Sequence, residues 1–220
     1  NADTLTIDDV ELTYVSSPYV PPVTYDLRFQ STLGNAASGA GLSFDGSNDY
    51  VETADAVLPN PHGEWSMSGW LAPTSASSTQ YALCLSPFDG NTNNFHCVQT
   101  RSDGKYQWTV QNGVNANSNT SYTTDGTFQH VVMTYKEGTT KFYIDGVLDN
   151  ENSSGSDSHS YAPRVSIAKQ GNSGQPFYEG KVDEFTVWDY ELDYFAIETL
   201  YDNGNGRDPS TLQNFIQNNV

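Results

Sequence analysis

The residues that could carry out catalytic chemistry are few and scattered in this sequence. Its four histidines, His62, His96, His130 and His159, lack the spacing of metal ligands. The sequence contains no Gly-x-Ser-x-Gly nucleophile motif, no His-Glu-x-x-His zinc motif and no phosphate-binding glycine loop. These observations predict a protein that is not an enzyme.

One carboxylate has a pattern that suggests a metal or a buried hydrogen bond. In the segment VDEFTVW, Asp183 alternates in phase with Phe185 and Val187, which predicts that its side chain points into the core. A buried carboxylate needs a partner, because an unpaired one costs several kcal/mol. That partner is either a Ca²⁺ ion or a donor such as a backbone N–H group or Lys181, and the sequence leaves both open.

Aromatic residues near polar loops are candidates for stacking on sugar rings. Tyr122, Tyr161, Phe177 and Tyr178 lie in or beside segments rich in Asn, Ser and Gly, which could also supply hydrogen bonds to hydroxyl groups. Trp70 and Trp108 instead lie within strand patterns, which favours the core for both.

The two cysteines flank a predicted hairpin. Cys84 and Cys97 enclose SPFDGNTNNF, whose Asp-Gly-Asn centre is a turn signal. A hairpin folded at that centre places the two residues opposite each other, at a separation that suits a disulfide. The alternative is a pair of buried thiols. A disulfide would indicate an oxidising compartment.

Length and charge limit the classes of partner. The chain has 220 residues, enough for one large β-sandwich, and 13% of them are aromatic. Its formal net charge is −18, with nine Lys and Arg, which disfavours nucleic acid and membrane surfaces. No apolar run is long enough for a transmembrane helix. The chain begins with Asn and carries no signal peptide, so we expect that a targeting segment was removed or lies upstream.

The segment 129–150 gives the clearest indication of secondary structure. Its side chains alternate with the period of a strand, and the dipeptides Glu137-Gly138 and Asp145-Gly146 interrupt the alternation as turns. This pattern predicts a three-stranded antiparallel meander. Farther along the chain, Asp193 reads as the N-cap of a short helix from Tyr194 to Tyr201, and Asp208-Pro209 as the start of a second.

Four segments, in order, resemble the laminin-G-like branch of the concanavalin A-like lectin/glucanase superfamily. They are LSFDGSNDYVE, WSMSGWLAP, the 129–150 meander and GKVDEFTVWDYEL, and together they span about residues 23 to 205. The resemblance implies an all-β fold: an antiparallel two-sheet jelly-roll sandwich, followed by one or two short C-terminal helices. It also implies a packed, structural role for His130.

The resemblance bears on metal binding and on catalysis. It implies a structural Ca²⁺ held by Asp183, the carbonyl of Gly46 and an oxygen near Asp26. Retaining glycosidases of the superfamily carry Glu-x-Asp-x-x-Glu on a strand. The nearest match begins at Glu191-Leu192-Asp193, but Ala196 replaces the last acid and the segment opens a helix. We therefore expect no glucanase activity.

The resemblance also divides the chain into segments. Residues 1–15 resemble the closing strand of a preceding jelly-roll domain, and the alternative is an extra strand of the same sandwich. Residues 16–22 form a Pro-rich linker. The sandwich itself takes 23–205, and 206–220 form a C-terminal helix or tail.

Taken together, these features predict a recognition or adhesion module that binds glycan or a protein surface, within a larger extracellular, secreted or particle-surface protein. The alternative is a structural, decoration or fibre domain of a phage virion that associates with itself or with neighbouring virion proteins, since LYDNGNGRDPSTLQ resembles the ends of such domains. An appendage of a polysaccharide-degrading enzyme is a third hypothesis, which requires catalytic sequence beyond this chain.

Overall fold

The computed structural model describes residues 10–14, 25–29, 41–53, 64–87, 95–110, 114–153, 163–170 and 176–207. Within these residues the chain forms fourteen strands and one α-helix. The strands are β1 (Val10–Tyr14), β2 (Tyr25–Phe29), β3 (Leu42–Asp45), β4 (Val51–Glu52), β5 (Glu64–Pro73), β6 (Gln80–Pro87), β7 (His96–Thr100), β8 (Lys105–Val110), β9 (Val114–Ser121), β10 (Gln129–Lys136), β11 (Thr139–Ile144), β12 (Val147–Asn152), β13 (Pro163–Ile167) and β14 (Glu179–Trp188).

The strands form two antiparallel sheets. The eight-stranded sheet has the order β1-β2-β14-β5-β10-β11-β12, with β3 also paired to β14. The six-stranded sheet has the order β4-β13-β6-β7-β8-β9. Strands that are neighbours in space are often distant in sequence, as in β14 beside β5, which is the connectivity of a jelly-roll sandwich. The predicted fold class is confirmed.

The meander from 129 to 150 is present as predicted. Its turn residues all have left-handed φ: 47° at Glu137, 85° at Gly138, 51° at Asp145 and 77° at Gly146. Two successive residues of this kind match the mirror-image turn that suits the twist of a hairpin. At the second turn, the Asp145 carboxylate also accepts a hydrogen bond of 2.9 Å from the backbone N–H of His130.

Aromatic and branched side chains from both sheets fill the space between them. Trp108 of the six-stranded sheet stacks on Phe142 of the other sheet, with ring centroids 4.9 Å apart. Trp65 and Tyr135 stack within the eight-stranded sheet at 5.8 Å. Both tryptophans are fully buried, and this layer is the main core.

A second apolar layer lies on the opposite side of the eight-stranded sheet. There the helix α1 (Tyr194–Tyr201) packs Ile197 and Leu200 against Val132 and Trp188. As predicted, Asp193 caps the helix, accepting a hydrogen bond of 2.7 Å from the Ala196 N–H. No helix among the described residues combines the length and apolar composition needed to span a membrane.

The chain termini bear on the predicted domain boundaries. Strand β1 pairs with β2 in the eight-stranded sheet. The Pro-rich segment 16–22 and the predicted helix at Asp208 lie outside the described residues. The boundaries themselves stay predictions.

Replacing Glu137 by Asn should stabilise the protein. Glu137 has a φ of 47°, a conformation that costs most side chains about 1 kcal/mol and that Asn tolerates better. We expect a gain of about 0.5–1 kcal/mol in the free energy of unfolding, measured by urea denaturation. The matched control is Glu151→Asn on the extended strand β12, where no gain is expected. An equal gain in both variants would contradict the turn explanation.

Candidate functional site

The outer face of the six-stranded sheet, which points away from the core, is polar. Along β8, Trp108 points into the core, so its neighbours Gln107 and Thr109 point outward. The strand pairing aligns them with outward residues on the adjacent strands. One row across the sheet contains Cys84, Cys97, Thr109 and Asn115, and the next contains Tyr81, Gln99, Gln107 and Asn117.

The amides and one hydroxyl on this face form hydrogen bonds within and between these rows. The Gln99 amide donates to the Thr109 hydroxyl at 2.9 Å, and that hydroxyl donates to Asn115 at 2.6 Å. The Gln107 amide donates to the Asn117 side chain at 2.9 Å. We call these five residues the amide strip. Gln99 and Thr109 are buried whereas Asn115 and Asn117 are exposed, so the strip runs from the covered middle of the face to its open edge.

Four aromatic side chains lie on this face at the end opposite to β9. Phe177 forms an isolated parallel β-bridge with Tyr81, and its ring lies 6.2 Å from that of Tyr50. Phe95 meets Tyr81 edge-on at 6.1 Å. Tyr50 is 46% exposed. We call Tyr50, Tyr81, Phe95 and Phe177 the aromatic patch.

Alternation shows that the aromatic patch faces outward. Tyr178 follows Phe177 and is buried in the core, and His96 follows Phe95 and contacts Trp65 in the core, with ring centroids 4.6 Å apart. Side chains on either side of a core residue in an extended segment point the other way. Because Tyr81 lies directly opposite Gln99, the aromatic patch and the amide strip meet on one face of the sheet, at a point where Gln99 is buried.

An ion cluster fixes the aromatic end of the surface. Glu52 of β4 lies 3.4 Å from Arg164 and 3.8 Å from Lys169. The Lys169 ammonium lies 4.0 Å above the centre of the Tyr50 ring, within the range of a cation–π interaction. These contacts hold β4 and Tyr50 against β13, and they bring a donor close to the aromatic rings.

The predicted disulfide lies beneath this surface. Cys84 and Cys97 are directly opposite on β6 and β7 and are joined by a disulfide bond, and both are fully buried. The bond connects the two central strands that carry Tyr81 and Gln99.

Of the four aromatics predicted to bind ligand, two are corrected by the structure. Tyr122 is 5% exposed, packs 5.2 Å from Tyr106 and donates its hydroxyl to the Arg101 carbonyl. Tyr178 is fully buried in the core. Neither ring is open to a sugar. Phe177 lies in the aromatic patch, half-buried, and Tyr161 lies outside the described residues.

The prediction that Trp70 and Trp108 are buried is confirmed, although Trp70 lies in the second apolar layer. Its ring contacts His130 at 5.0 Å and Tyr201 of α1 at 6.0 Å. Burial lowers the pKa of His130 to about 3, so the imidazole is neutral at physiological pH. This packing gives His130 the structural role that was predicted.

The predicted orientation of Asp183 is wrong because β14 contains a bulge. The pairing of β14 with β5 shifts between Asp183 and Thr186, and Glu184 has a φ of 48°. Phe185 and Val187 point into the core, but Asp183 lies opposite Trp70, on the outer side of the eight-stranded sheet. An inserted residue of this kind reverses the alternation.

The three predicted calcium ligands do not meet. Gly46 lies beside Glu179 on β14, and four strand residues separate Glu179 from Asp183 by about 13 Å. Oxygens that share one Ca²⁺ lie within about 5 Å of each other, so Gly46 and Asp183 cannot bind the same ion. Asp26 follows Tyr25 on β2, and Tyr25 pairs with Val187. Val187 lies on the far side of the β14 bulge from Asp183. Among the described residues no group of three or more His, Cys, Asp or Glu is placed to hold a metal.

The acids nearest to a glycosidase motif have structural contacts. Glu191 accepts a hydrogen bond of 2.9 Å from the Lys141 ammonium, and Asp193 caps α1. Ala196, in place of the third acid, is a buried residue of α1 that packs in the second apolar layer. These contacts position α1 on the sheet.

Sequence reasoning missed Tyr50, Tyr81, Phe95 and the amide strip. Gln107, Thr109, Asn115 and Asn117 occupy alternating positions in consecutive strand segments, and that alternation was a usable signal of a polar face. The aromatic patch had no comparable signal, since its members come from four separate segments.

Comparisons with known proteins agree with the fold. A family model described as the Concanavalin A-like lectin/glucanases superfamily matches residues 45–196, which is more than half of the chain. No curated protein matches the sequence.

Solved structures with a similar fold are distant in sequence. A heptameric SAP-like pentraxin from Limulus polyphemus is 16% identical with a TM-score of 0.61, covering 76% of this chain and 83% of that one. The CBM40 of Ruminococcus gnavus IT-sialidase, bound to α2,3-sialyllactose, is 11% identical with a TM-score of 0.55, covering 76% of this chain and 100% of that one. Trypanosoma rangeli sialidase is 13% identical with a TM-score of 0.57, and the match covers 86% of this chain but 31% of the sialidase chain. At these identities the likeness shows the fold.

Replacing Asp183 by Asn tests whether this carboxylate binds calcium or is simply buried. Burial raises the pKa of the Asp183 carboxyl above its ordinary value of 3.8. The stabilisation by the protonated Asp183 carboxyl is therefore fully present below pH 3.8. It is lost as the pH rises through the raised pKa of the folded protein. In EDTA at pH 7 we expect Asp183→Asn to melt at a higher temperature than the parent, with the difference disappearing in acid.

The same two proteins, melted with added Ca²⁺, can give the result that would contradict this expectation. A parent protein that gains melting temperature with Ca²⁺, and an Asp183→Asn variant that is less stable and does not respond, would establish Asp183 as a calcium ligand. Until then, calcium binding stays a prediction.

Proposed function

Because the chain belongs to the Concanavalin A-like lectin/glucanases superfamily, we propose that it is a non-catalytic glycan-binding module and that its ligand lies on the outer face of the six-stranded sheet. The observation that carries this proposal is the row in which Tyr81 lies opposite Gln99, next to Gln107 and Asn117. Stacking surfaces and amides are thereby placed side by side on one face.

The chemistry of this face suits a sugar. Aromatic rings offer an apolar face to the C–H groups of a pyranose, and amide groups both donate and accept, as hydroxyl groups require. Among the described residues, each amide in the strip makes one side-chain hydrogen bond to its neighbour, at 2.9 Å or less, and an amide can make up to four. Bonding capacity therefore remains for a ligand.

The net charge narrows the kind of glycan. A formal charge of −18 repels polyanions at long range, whereas stacking and amide hydrogen bonds do not depend on that field. We therefore infer a neutral or weakly charged oligosaccharide. Because the CBM40 neighbour was solved with α2,3-sialyllactose, that trisaccharide is one of the probes for this chain.

A glycan array carrying neutral oligosaccharides and α2,3-sialyllactose tests the proposal. We expect a specific signal that Phe177→Ala and Gln107→Ala each weaken at least about tenfold, as for removal of a central contact residue. The readout after the array is the dissociation constant measured by titration calorimetry.

The matched control is Phe195→Ala. Phe195 is a phenylalanine, 49% exposed, on α1 at the other side of the sandwich, and its removal should leave binding unchanged. If the parent binds no glycan, or if Phe195→Ala weakens binding as much as Phe177→Ala, the proposed site is wrong.

Self-association is a second candidate function, in keeping with a structural role in a particle or with adhesion to a protein surface. It is favoured by large apolar side chains that are exposed, namely Val147, Leu148, Tyr194 and Phe195. We expect Leu148→Asp to abolish any oligomer detected by sedimentation velocity. A parent that stays monomeric up to its solubility limit would remove this candidate.

We place the protein in an extracellular or secreted setting, or on a particle surface. The disulfide between Cys84 and Cys97 supports an oxidising compartment, and the negative charge favours solubility there.

A further inference from the structure

Asn115 and Asn117, the exposed part of the amide strip, lie on β9, whose sequence has a low intrinsic preference for strand structure. Strand β9 has the sequence VNANSNTS, and Asn and Ser are depleted in strands. Ala116 packs against the main core, but it is only partly buried. In such a strand the pairing register is weakly specified, and a slip of one residue would turn Asn115 and Asn117 inward.

The pairing of β9 with β8 is also interrupted. Gln107 lies opposite Asn117, but Lys105 lies opposite Ser121. The two β8 residues are two positions apart and their β9 partners are four positions apart, so β9 bulges here. The Ser118 hydroxyl occupies the gap, accepting from the Tyr106 N–H at 3.0 Å and donating to the Thr120 carbonyl at 2.6 Å. Two consecutive backbone N–H groups, of Asn119 and Thr120, then point toward the other sheet.

Asp149 of β12 receives both of these groups. Its two carboxylate oxygens accept hydrogen bonds of 2.6 Å from the Asn119 N–H and 2.8 Å from the Thr120 N–H. The Asn119 side chain donates back to the Asp149 carbonyl. Successive N–H groups that converge on one anion form a nest, here filled by a side chain of the eight-stranded sheet.

A neighbouring contact extends this link to the amide strip. The Asn150 amide donates to the Asn117 carbonyl at 2.8 Å, while the Asn117 side chain accepts from Gln107. Asn117 is therefore held from both sheets, by its backbone and by its side chain.

We propose that Asp149 is a positioning residue for glycan binding: by holding the bulge of β9 from the opposite sheet, it fixes the register that presents Asn115 and Asn117 beside Gln107. This inference rests on the proposed function for its effect on affinity. The pinning of β9 stands on the hydrogen bonds alone and can be measured without a ligand.

Asp149→Asn is the test variant, and Glu151→Gln is its control. The amide keeps the shape of the carboxylate but replaces one acceptor oxygen with a donor, so it can satisfy only one of the two N–H groups. Glu151→Gln makes the same change of charge on the same strand, at an exposed side chain. Neither change touches the core between the sheets, so both variants should fold.

The first measurement is amide hydrogen exchange by mass spectrometry. In Asp149→Asn, exchange should accelerate across 115–120, while β6 and β7 exchange as in the parent. Unchanged exchange in β9, or equal acceleration in Glu151→Gln, overturns the proposal whether or not any glycan binds.

The second measurement is affinity for the neutral oligosaccharide or α2,3-sialyllactose that the array identifies. We expect Asp149→Asn to weaken binding about tenfold in the parent and to have no further effect in an Asn115→Ala/Asn117→Ala background, because Asp149 acts through those two residues. Equal losses in both backgrounds would show a general destabilisation and overturn the positioning role. If the parent binds no glycan at all, the proposed function fails, and the exchange result still decides whether Asp149 pins β9.

Discussion

The alternation of side chains across the six-stranded sheet is the constraint on which the rest of the structure depends. Trp108 must point inward, where it stacks on Phe142 at 4.9 Å. That requirement fixes the outward direction of Gln107 and Thr109. A slip of one residue would bury an amide and expose an indole, so the burial of the tryptophan also holds the polar face in place. Core packing and the candidate binding surface are therefore two consequences of one register.

The two sheets use their outer faces differently. Helix α1 covers the eight-stranded sheet and buries Trp188 and Leu200 against it, while Tyr201 stacks near His130 at 6.3 Å. Burial keeps the pKa of that imidazole at about 3, so no charge is placed in an apolar layer. This face is occupied by the chain itself, whereas the candidate surface on the other sheet is exposed at its two ends, at Tyr50 and at Asn115 and Asn117.

Local patterns predicted those features that depend on local physics. The meander, the Asp193 cap and the opposition of Cys84 and Cys97 follow from alternation, capping and turn residues within short segments. Asp183 was misplaced because a single inserted residue, Glu184, reverses the phase. Tyr122 and Tyr178 were misjudged because a polar neighbourhood in sequence does not show which way a ring points. The aromatic patch required the long-range register, which no window of sequence contains.

Strand β9 is the place where sequence and structure agree least, and that disagreement is informative. Four of its eight positions would be better filled by branched residues if stability alone mattered; instead it carries asparagines at 115, 117 and 119 and a serine at 118. Natural proteins depart from local preference mainly at functional sites, and they compensate elsewhere. The compensation here is visible: the Ser118 hydroxyl and the Asp149 carboxylate satisfy the backbone groups that the irregular pairing leaves open. A strand kept polar at this cost, with its amides facing outward in line with Tyr81, is in keeping with the ligand recognition proposed for this face.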